Sequence, residues 1–385
     1  MAKIKLPYWL DEVYGKIQKN NVVFRRKGRT IVLESDPTPS YTRSDAQAYV
    51  RSKYYDALKN WYSLSPDEKK EYNEKGSKLG LSGWNVYVME TMKGVAYQPF
   101  VYEITINNSS NSNALSNYQV LLNISNDSIF FSTVGDKKFL EFYDTDKATL
   151  LNHYVELWDT QNYNAKIWIK IPNIPASSTK KIYLKKNTSR TTDLSNPYNV
   201  FDFYDDFDVD LSKWTQVLGT WSLTTDGGLS VLKSPSGDDN QIVTTNFSIK
   251  NCRIISKFRL VTSISDNLFG CLARWLSQTC SYLCQTETGS GTLNIYVRTN
   301  GGWTGVASGA YSADLNYHIM DFRLFETSLK VYIDNSLKVQ ATNSAITSSG
   351  KIGFRHGRFS YCFYVDYVKV VKYTEPEPSL AYTKL

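Results

Sequence analysis

No stretch of the sequence approaches the ~18 consecutive apolar residues of a membrane-spanning helix. The opening MAKIKLPYWLDEVYGKIQ places charges and a proline where a signal peptide needs an unbroken apolar core. We therefore expect no membrane span and no export signal at this start. Histidine is scarce, with only His153, His318 and His356, and these lie far apart; no CxxC pair occurs, so a structural zinc site is not expected. A Gly-rich phosphate loop, a G-x-S-x-G motif and a Cys/His pair at suggestive spacing are also missing. The chain reads as a non-enzyme.

Five cysteines, Cys252, Cys271, Cys280, Cys284 and Cys362, all fall late in the chain, and the odd number forbids full internal pairing. Buried thiols are one reading; one or two disulfides, for example Cys252 with Cys362, are the other. Asn107, Asn108, Asn123, Asn126, Asn187 and Asn246 each begin an N-x-S/T sequon, a number that an Asn/Ser/Thr-rich chain also produces by chance.

What is abundant is aromatic: 28 Tyr, 17 Phe and 9 Trp in 385 residues favour strands and adhesive surfaces. The net charge of +7 belongs to the N-terminal part. Residues 1–99 hold 17 Lys/Arg against 11 Asp/Glu, whereas residues 201–385 hold 17 of each. An excess of +6 suits a polyanion or an acidic protein surface, but is weaker than that of dedicated DNA-binding domains.

Residues 1–40 read as an extended basic arm with a short hairpin around RTIVLE and a linker at Pro37 and Pro39. Residues 41–98 read as a helical region. Ala46, Val50, Tyr54, Ala57, Leu58 and Trp61 recur at helical spacing. Ser65-Pro66-Asp67-Glu68 then carries an N-cap, a proline at the first helical position and a capping box, and Gly76 and Gly80 end that helix. A third short helix starts at Ser82, with Trp84 and Val88 stacked at i and i+4.

From about residue 100 the period changes to two. VYEITINNSS, YQVLLNISN, KFLEFYD, HYVELWD, AKIWIKIP and KKIYLKKN are short alternating runs between turn residues, predicting a small antiparallel β-sandwich over 99–195. Ten or more further alternating runs predict a larger sandwich or jelly roll over 200–374, with YIDNSLKV as a hairpin. Residues 375–385 read as a loose tail. The fold class is mainly β and multi-domain, with a small N-terminal helical region.

YDDFDVDLSKWTQVLGTWSLTTDGGLSV, LKVYIDNSLKV and GKIGFRHGRFSYCFYVDYVKV give residues 201–373 a resemblance to the concanavalin-A-like (laminin-G/glucanase-type) jelly-roll superfamily. LSNYQVLLNIS, LEFYDTDKATLLNHYVELWD and AKIWIKIPNIPASSTKKIYLKKN resemble the small uncharacterised β-module that precedes such jelly rolls in archaeal and bacterial surface proteins. Residues 22–93 resemble the N-terminal segment of structural proteins of archaeal viruses and proviruses. LKNWYSLSPDEKKEYNEKGSK also resembles two helices of an HMG box, but Gly76, Gly80 and Gly83 cut the third element short, which weakens a DNA-binding reading.

The superfamily resemblance implies three kinds of chemistry. Its glycosidases carry paired carboxylates on one strand, often E-x-D-x-x-E, so that acid and nucleophile flank one bond; no such strand occurs. Its calcium-bound members hold the ion where first and last strands meet, a place that would recruit Asp205, Asp206, Asp208 and Asp366; alternatively these acids cap turns. Carbohydrate binding needs aromatic platforms beside hydrogen-bonding groups, and Arg274, Trp275, Tyr296, Arg298 and Trp303 are the candidates, Trp303 foremost because TNGGWTGVASG reads as an exposed loop. Trp61, Trp84, Tyr87 and Val88 are candidates for docking on a partner protein.

These readings converge on a virion structural protein. Its helical region would anchor to the capsid, another virion protein or a second copy, and its β domains would be displayed as a spike that binds host-surface glycan. A cellular lectin-like adhesin or carbohydrate-active surface protein is the competing class, and genome packaging through residues 1–99 is a third.

Overall fold

The computed structural model describes residues 45–92, 100–261, 268–358 and 362–385, with the backbone of four short strands between residues 3 and 35. The linker expected at Pro37 and Pro39 lies outside the described residues. The chain divides into two compact units, Met1–Pro99 and Phe100–Leu385.

In the first unit, β1 (Lys3–Ile4), β2 (Lys16–Ile17), β3 (Val22–Lys27) and β4 (Thr30–Ser35) form an antiparallel sheet in the order β1-β4-β3-β2. Three helices follow: α1 (Asp45–Ser63), α2 (Pro66–Leu79) and α3 (Gly83–Met92). Helix α2 starts as its sequence requires. Ser65 Oγ accepts from the Glu68 N–H at 3.3 Å and Glu68 Oε2 accepts from the Ser65 N–H at 2.7 Å, satisfying two helix-end donors reciprocally. Gly80 at φ 68° closes it in the left-handed conformation. No helix among the described residues is long and apolar enough to cross a membrane.

The second unit opens with β5 (Phe100–Asn107), β6 (Leu115–Ile124), α4 (Ser128–Val134), β7 (Leu140–Tyr143), β8 (Leu150–Leu151), β9 (His153–Asp159), β10 (Asn164–Ile174) and β11 (Thr179–Lys186). A single helical turn, α5 (Pro197–Val200), leads into the jelly roll. Its strands are β12 (Phe203–Asp205), β13 (Trp214–Leu218), β14 (Ser222–Asp226), β15 (Leu229–Lys233), β16 (Gly237–Thr244), β17 (Cys252–Leu260), β18 (Gly270–Ser277), β19 (Cys280–Glu287) and β20 (Thr292–Thr299). They continue as β21 (Trp303–Ala310), β22 (His318–Phe325), β23 (Ser328–Ile333), β24 (Ser336–Thr342), β25 (Lys351–Arg358) and β26 (Phe363–Lys372), and the chain then forms β27 (Ser379–Lys384).

Two sheets make the smaller sandwich, β6-β10-β9 and β27-β5-β11-β7-β8. The expected loose tail is therefore corrected. Strand β27 pairs antiparallel with β5 from Ser379 opposite Asn107 to Lys384 opposite Tyr102, completing the sheet of a module that begins some 280 residues earlier. Leu380 and Tyr382 pack on its core, and the Tyr382 hydroxyl donates to Asp127 at 2.8 Å. Helix α4 was not expected either; Phe130, Phe131 and Val134 turn its apolar side into the same core, and Asp127 caps it.

The jelly roll stacks an eight-stranded sheet, whose main path runs β14-β15-β26-β17-β22-β23-β24, on a seven-stranded one, β13-β16-β25-β18-β19-β20-β21. Between them lies a core that includes Phe258, Phe269, Phe322, Phe354 and Phe363. The outer face of the eight-stranded sheet is covered as well. Ile255, Ile319 and Val371 meet Leu121, Tyr154 and Trp168 of the smaller module, with Val200 and Phe201 of the α5 connection wedged alongside. Buried polar groups fix the joint. Gln119 donates to the Val200 carbonyl at 3.1 Å and accepts from the Lys372 N–H at 3.0 Å, and the fully buried Lys369 meets Glu156 at 2.6 Å. Four sheets are thus layered, and the outer face of the seven-stranded sheet carries no further layer from the described residues of this unit.

Candidate functional site

That uncovered face has a floor of Val243, Leu272 and Leu283, all fully buried, although no other layer lies on it. They are covered by side chains of their own sheet, chiefly Trp275, Tyr296 and Trp303, each half-buried. Strand alternation explains the arrangement. Gly353, Leu272, Leu283 and Tyr296 are register partners across four strands, and Arg298 stands opposite Trp303 on the far edge.

Polar groups interleave with the rings in one connected chain. Trp275 Nε1 donates to Gln241 Oε1 at 3.1 Å, and Gln241 Nε2 donates to Asp239 Oδ1 at 3.1 Å. Asp239 also receives Arg355 at 2.7 Å and Arg298 at 3.2 Å. Arg355 reaches Gln285 at 2.7 Å, Gln285 donates to Glu287 at 3.4 Å, and Glu287 accepts from the Tyr296 hydroxyl. The Trp303 ring lies against both guanidinium groups, 5.2 Å from Arg298 and 5.3 Å from Arg355.

The Asp239–Arg298 bridge also reports the shape of the face. Their strands, β16 and β20, are four steps apart, which in a flat sheet is about 19 Å. A 3.2 Å bridge between them requires the sheet to curl toward this side, so the face is concave. Burial alone would raise the Asp239 pKa, but Arg355, Gln241 and Arg298 outweigh it and hold the carboxyl below its ordinary range. Burial and the neighbouring Glu287 push the Tyr296 phenol up to about 12, so it stays a hydrogen-bond donor at neutral pH.

Residues 136–217 match a family described as a domain of unknown function, DUF2341. The match runs from the smaller module through the α5 connection into β13. Solved structures similar to the chain include the carbohydrate-binding module CBM66 from Bacillus subtilis, at 18% identity over 42% of this chain and 97% of that one, with a TM-score of 0.38. A glycoside hydrolase family 16 endo-glucanase from Bacteroides ovatus is similar at 16% identity over 44% and 99%, TM-score 0.37. A protein of unknown function with a galectin-like fold from Bacillus subtilis is similar at 13% over 45% and 96%, TM-score 0.37. No curated protein matches.

Of the five residues expected to bind carbohydrate, Trp275, Tyr296, Arg298 and Trp303 share the concave face, and Trp303 stands at the start of a strand rather than in a loop. Arg274 does not belong with them. A bulge at φ 45° breaks the alternation, turning Arg274 inward and Trp275 outward. The buried guanidinium donates to the carbonyls of Lys250 at 3.0 Å, Glu326 at 2.8 Å and Ile346 at 2.7 Å, tying three loops together. Gly350 is required beside it, since a Cβ there would stand 2.4 Å from the Arg274 carbonyl carbon. Gln241, Gln285, Arg355, Asp239 and Glu287 escaped the sequence reading because nothing in their local pattern marks the face they share.

The four aspartates do not converge as a calcium site. Asp205 is buried with its two oxygens taken by Lys213 at 2.9 Å and Trp214 Nε1 at 2.5 Å, Asp366 pairs with Lys257 at 2.7 Å, Asp206 accepts from Tyr198 at 3.2 Å, and Asp208 is exposed. No group of three or more His, Cys, Asp or Glu among the described residues is arranged to hold a metal. The docking candidates Trp61, Trp84, Tyr87 and Val88 all lie half-buried on the helices. Trp61 lies 5.7 Å from Trp84 and 5.4 Å from Tyr87, and Tyr72 lies 5.1 Å from Tyr87, so these rings pack on one another while each keeps part of its surface exposed, and Val88 is likewise half-buried on α3. A Cys252–Cys362 disulfide is excluded by register. Cys252 pairs with Lys372 and Leu260 with Phe363, so the two cysteines stand at opposite ends of one strand pair, roughly 26 Å apart. Cys252, Cys271 and Cys284 are buried thiols.

Proposed function

We propose that the concave face of the seven-stranded sheet binds glycan. One observation carries this: three half-exposed aromatic rings alternate with planar hydrogen-bonding groups already fixed by one another, on a jelly-roll face that no other layer of the described residues of the second unit covers. Sugars offer apolar C–H faces and a rim of hydroxyls, and this surface offers rings for the first and oriented amide, guanidinium and carboxylate groups for the second. Trp275, Tyr296 and Trp303 come from three different strands, β18, β20 and β21, so the face offers several stacking positions, which suits an oligosaccharide better than one ring.

The same geometry favours binding over hydrolysis. A glycosidase needs one carboxyl kept protonated as the acid. Here Asp239 is held ionised between two guanidinium groups, and Glu287 is occupied by the Tyr296 hydroxyl. A glycan array followed by calorimetry tests the proposal. Trp303→Ala should weaken the best ligand at least tenfold while the β unit still unfolds in one cooperative transition, and undiminished binding would overturn it. Sugar release abolished by Asp239→Asn or Glu287→Gln would replace it with the enzyme reading.

Display on a virion is the narrower form of this reading, resting on the separate basic helical unit ahead of the β layers. Its docking surface would combine the half-exposed Trp61, Trp84 and Tyr87 with exposed side chains such as Tyr55 and Tyr62. Recovery of the chain in stoichiometric amount from purified particles supports it; absence from them refutes it.

A further inference from the structure

On the opposite side of the jelly roll, where the smaller module docks, lies a cleft of about 310 Å³ built from both parts. Tyr154 and Lys166 come from the smaller module, and Tyr204, Lys257, Tyr367 and Lys369 from the jelly roll. Neither part makes the cleft alone. Its volume is at the low end for small-molecule sites, matching one ring rather than a chain.

Three ammonium groups line it, and two are already neutralised. Lys369 pairs with Glu156 at 2.6 Å and Lys257 with Asp366 at 2.7 Å. The second oxygen of Glu156 accepts from Trp168 Nε1 at 2.5 Å, so this carboxylate is fully engaged. Lys166, half-buried on β10, feels the field of Glu156 but forms no ion pair among the described residues.

We propose that this inter-module cleft binds a small carboxylate-bearing ligand of the size of a single uronic acid unit, with Lys166 as the partner of its carboxylate. A ligand anion entering here meets Lys166 without breaking an existing pair. One uncommitted positive charge matches a monoanion better than a doubly charged phosphate, and the phenols of Tyr154, Tyr204 and Tyr367 that line the cleft supply hydroxyl groups for the rest of the ring. The site is independent of the concave face, since no residue is shared.

Titrating the full chain with D-glucuronate, D-glucose and inorganic phosphate by calorimetry tests the proposal. Glucuronate should bind and glucose should not. Lys166→Gln, which keeps most of the stem, should weaken glucuronate at least about tenfold, the worth of one charge-assisted hydrogen bond. Tyr367→Phe should weaken it less, and Trp303→Ala should leave it unchanged. Equal binding of glucose, binding insensitive to Lys166→Gln, or phosphate binding more tightly than glucuronate would each overturn the assignment; thermal melts of each variant separate these outcomes from misfolding.

Discussion

Replacing Glu156 by Gln should destabilise the β unit by an amount that its surroundings set. Lys369 is 2% exposed, and Glu156 is the carboxylate it meets. Glutamine keeps the shape and an acceptor for Trp168 but removes the charge that balances the buried ammonium. Breaking a buried pair from one side costs about 3 to 5 kcal/mol. The lower figure applies, because Lys369 also lies 5.3 Å from the Trp168 ring and 5.4 Å from that of Tyr367. At ~2.1 cal/mol/K per residue, residues 100–385 unfold with an entropy near 0.6 kcal/mol/K, so a loss of about 3 kcal/mol lowers the melting temperature by roughly 5 °C. The pH dependence gives a second reading. Burial lowers the Lys369 pKa below the ordinary lysine value, so the unfolded chain binds the extra proton and stability rises as pH climbs toward that value. Without Glu156 the depression deepens, and the deficit of the variant should shrink between pH 7 and 9.5. Differential scanning calorimetry at both pH values, with Glu156→Gln/Lys369→Met as the charge-free control, measures this. A variant melting within 1 °C of the parent, or a double variant no better than the single one, would refute the reasoning.

Deleting Ser379–Leu385 should lower the melting temperature and induce aggregation, because β5 would become an open edge and the packing of Leu380 and Tyr382 would be lost, together about 3 kcal/mol; light scattering and calorimetry read both. Arg274→Met should destabilise by about 3 kcal/mol in urea unfolding, since three loop carbonyls lose their donor, yet leave glycan affinity unchanged if the variant is folded. For His318, burial opposes the charged ring, but hydrogen bonds with Asp334 at 2.7 Å and Asp314 at 2.9 Å prevail and raise its pKa above 6.5. Its contribution is complete below the unfolded value and is lost as pH rises through the folded one, so His318→Gln should flatten the stability profile just above pH 6.5.

Strand periodicity made the β architecture legible, because a half-buried strand must alternate, and the Ser65-Pro66-Asp67-Glu68 start of α2 was legible because its capping chemistry is local. What escaped depends on distant partners. SLAYTK alternates only weakly and follows EPEP, so nothing near it announces pairing with residues 102–107. SIFFSTV is too short to show a helical period. Arg274 was misplaced because strict alternation in GCLARWLS fails at a bulge visible only in the backbone. The rings of the concave face were legible as aromatics beside turns, whereas Gln241, Gln285 and Arg355 join them only through the curl of the sheet. The rings of the helical region were legible from their helical spacing, but not their contacts with one another, which join three separate helices.

The pairing of β27 with β5 has a mechanical side. The two strands run antiparallel with Lys384 opposite Tyr102, and the Leu385 N–H bonds the Val101 carbonyl at 3.0 Å. Tension applied between residue 100 and residue 385 therefore opens this ladder rung by rung, as a zipper, rather than shearing six rungs at once. While the ladder holds, the load passes directly from one end to the other and bypasses the jelly roll, leaving the concave sheet unstrained.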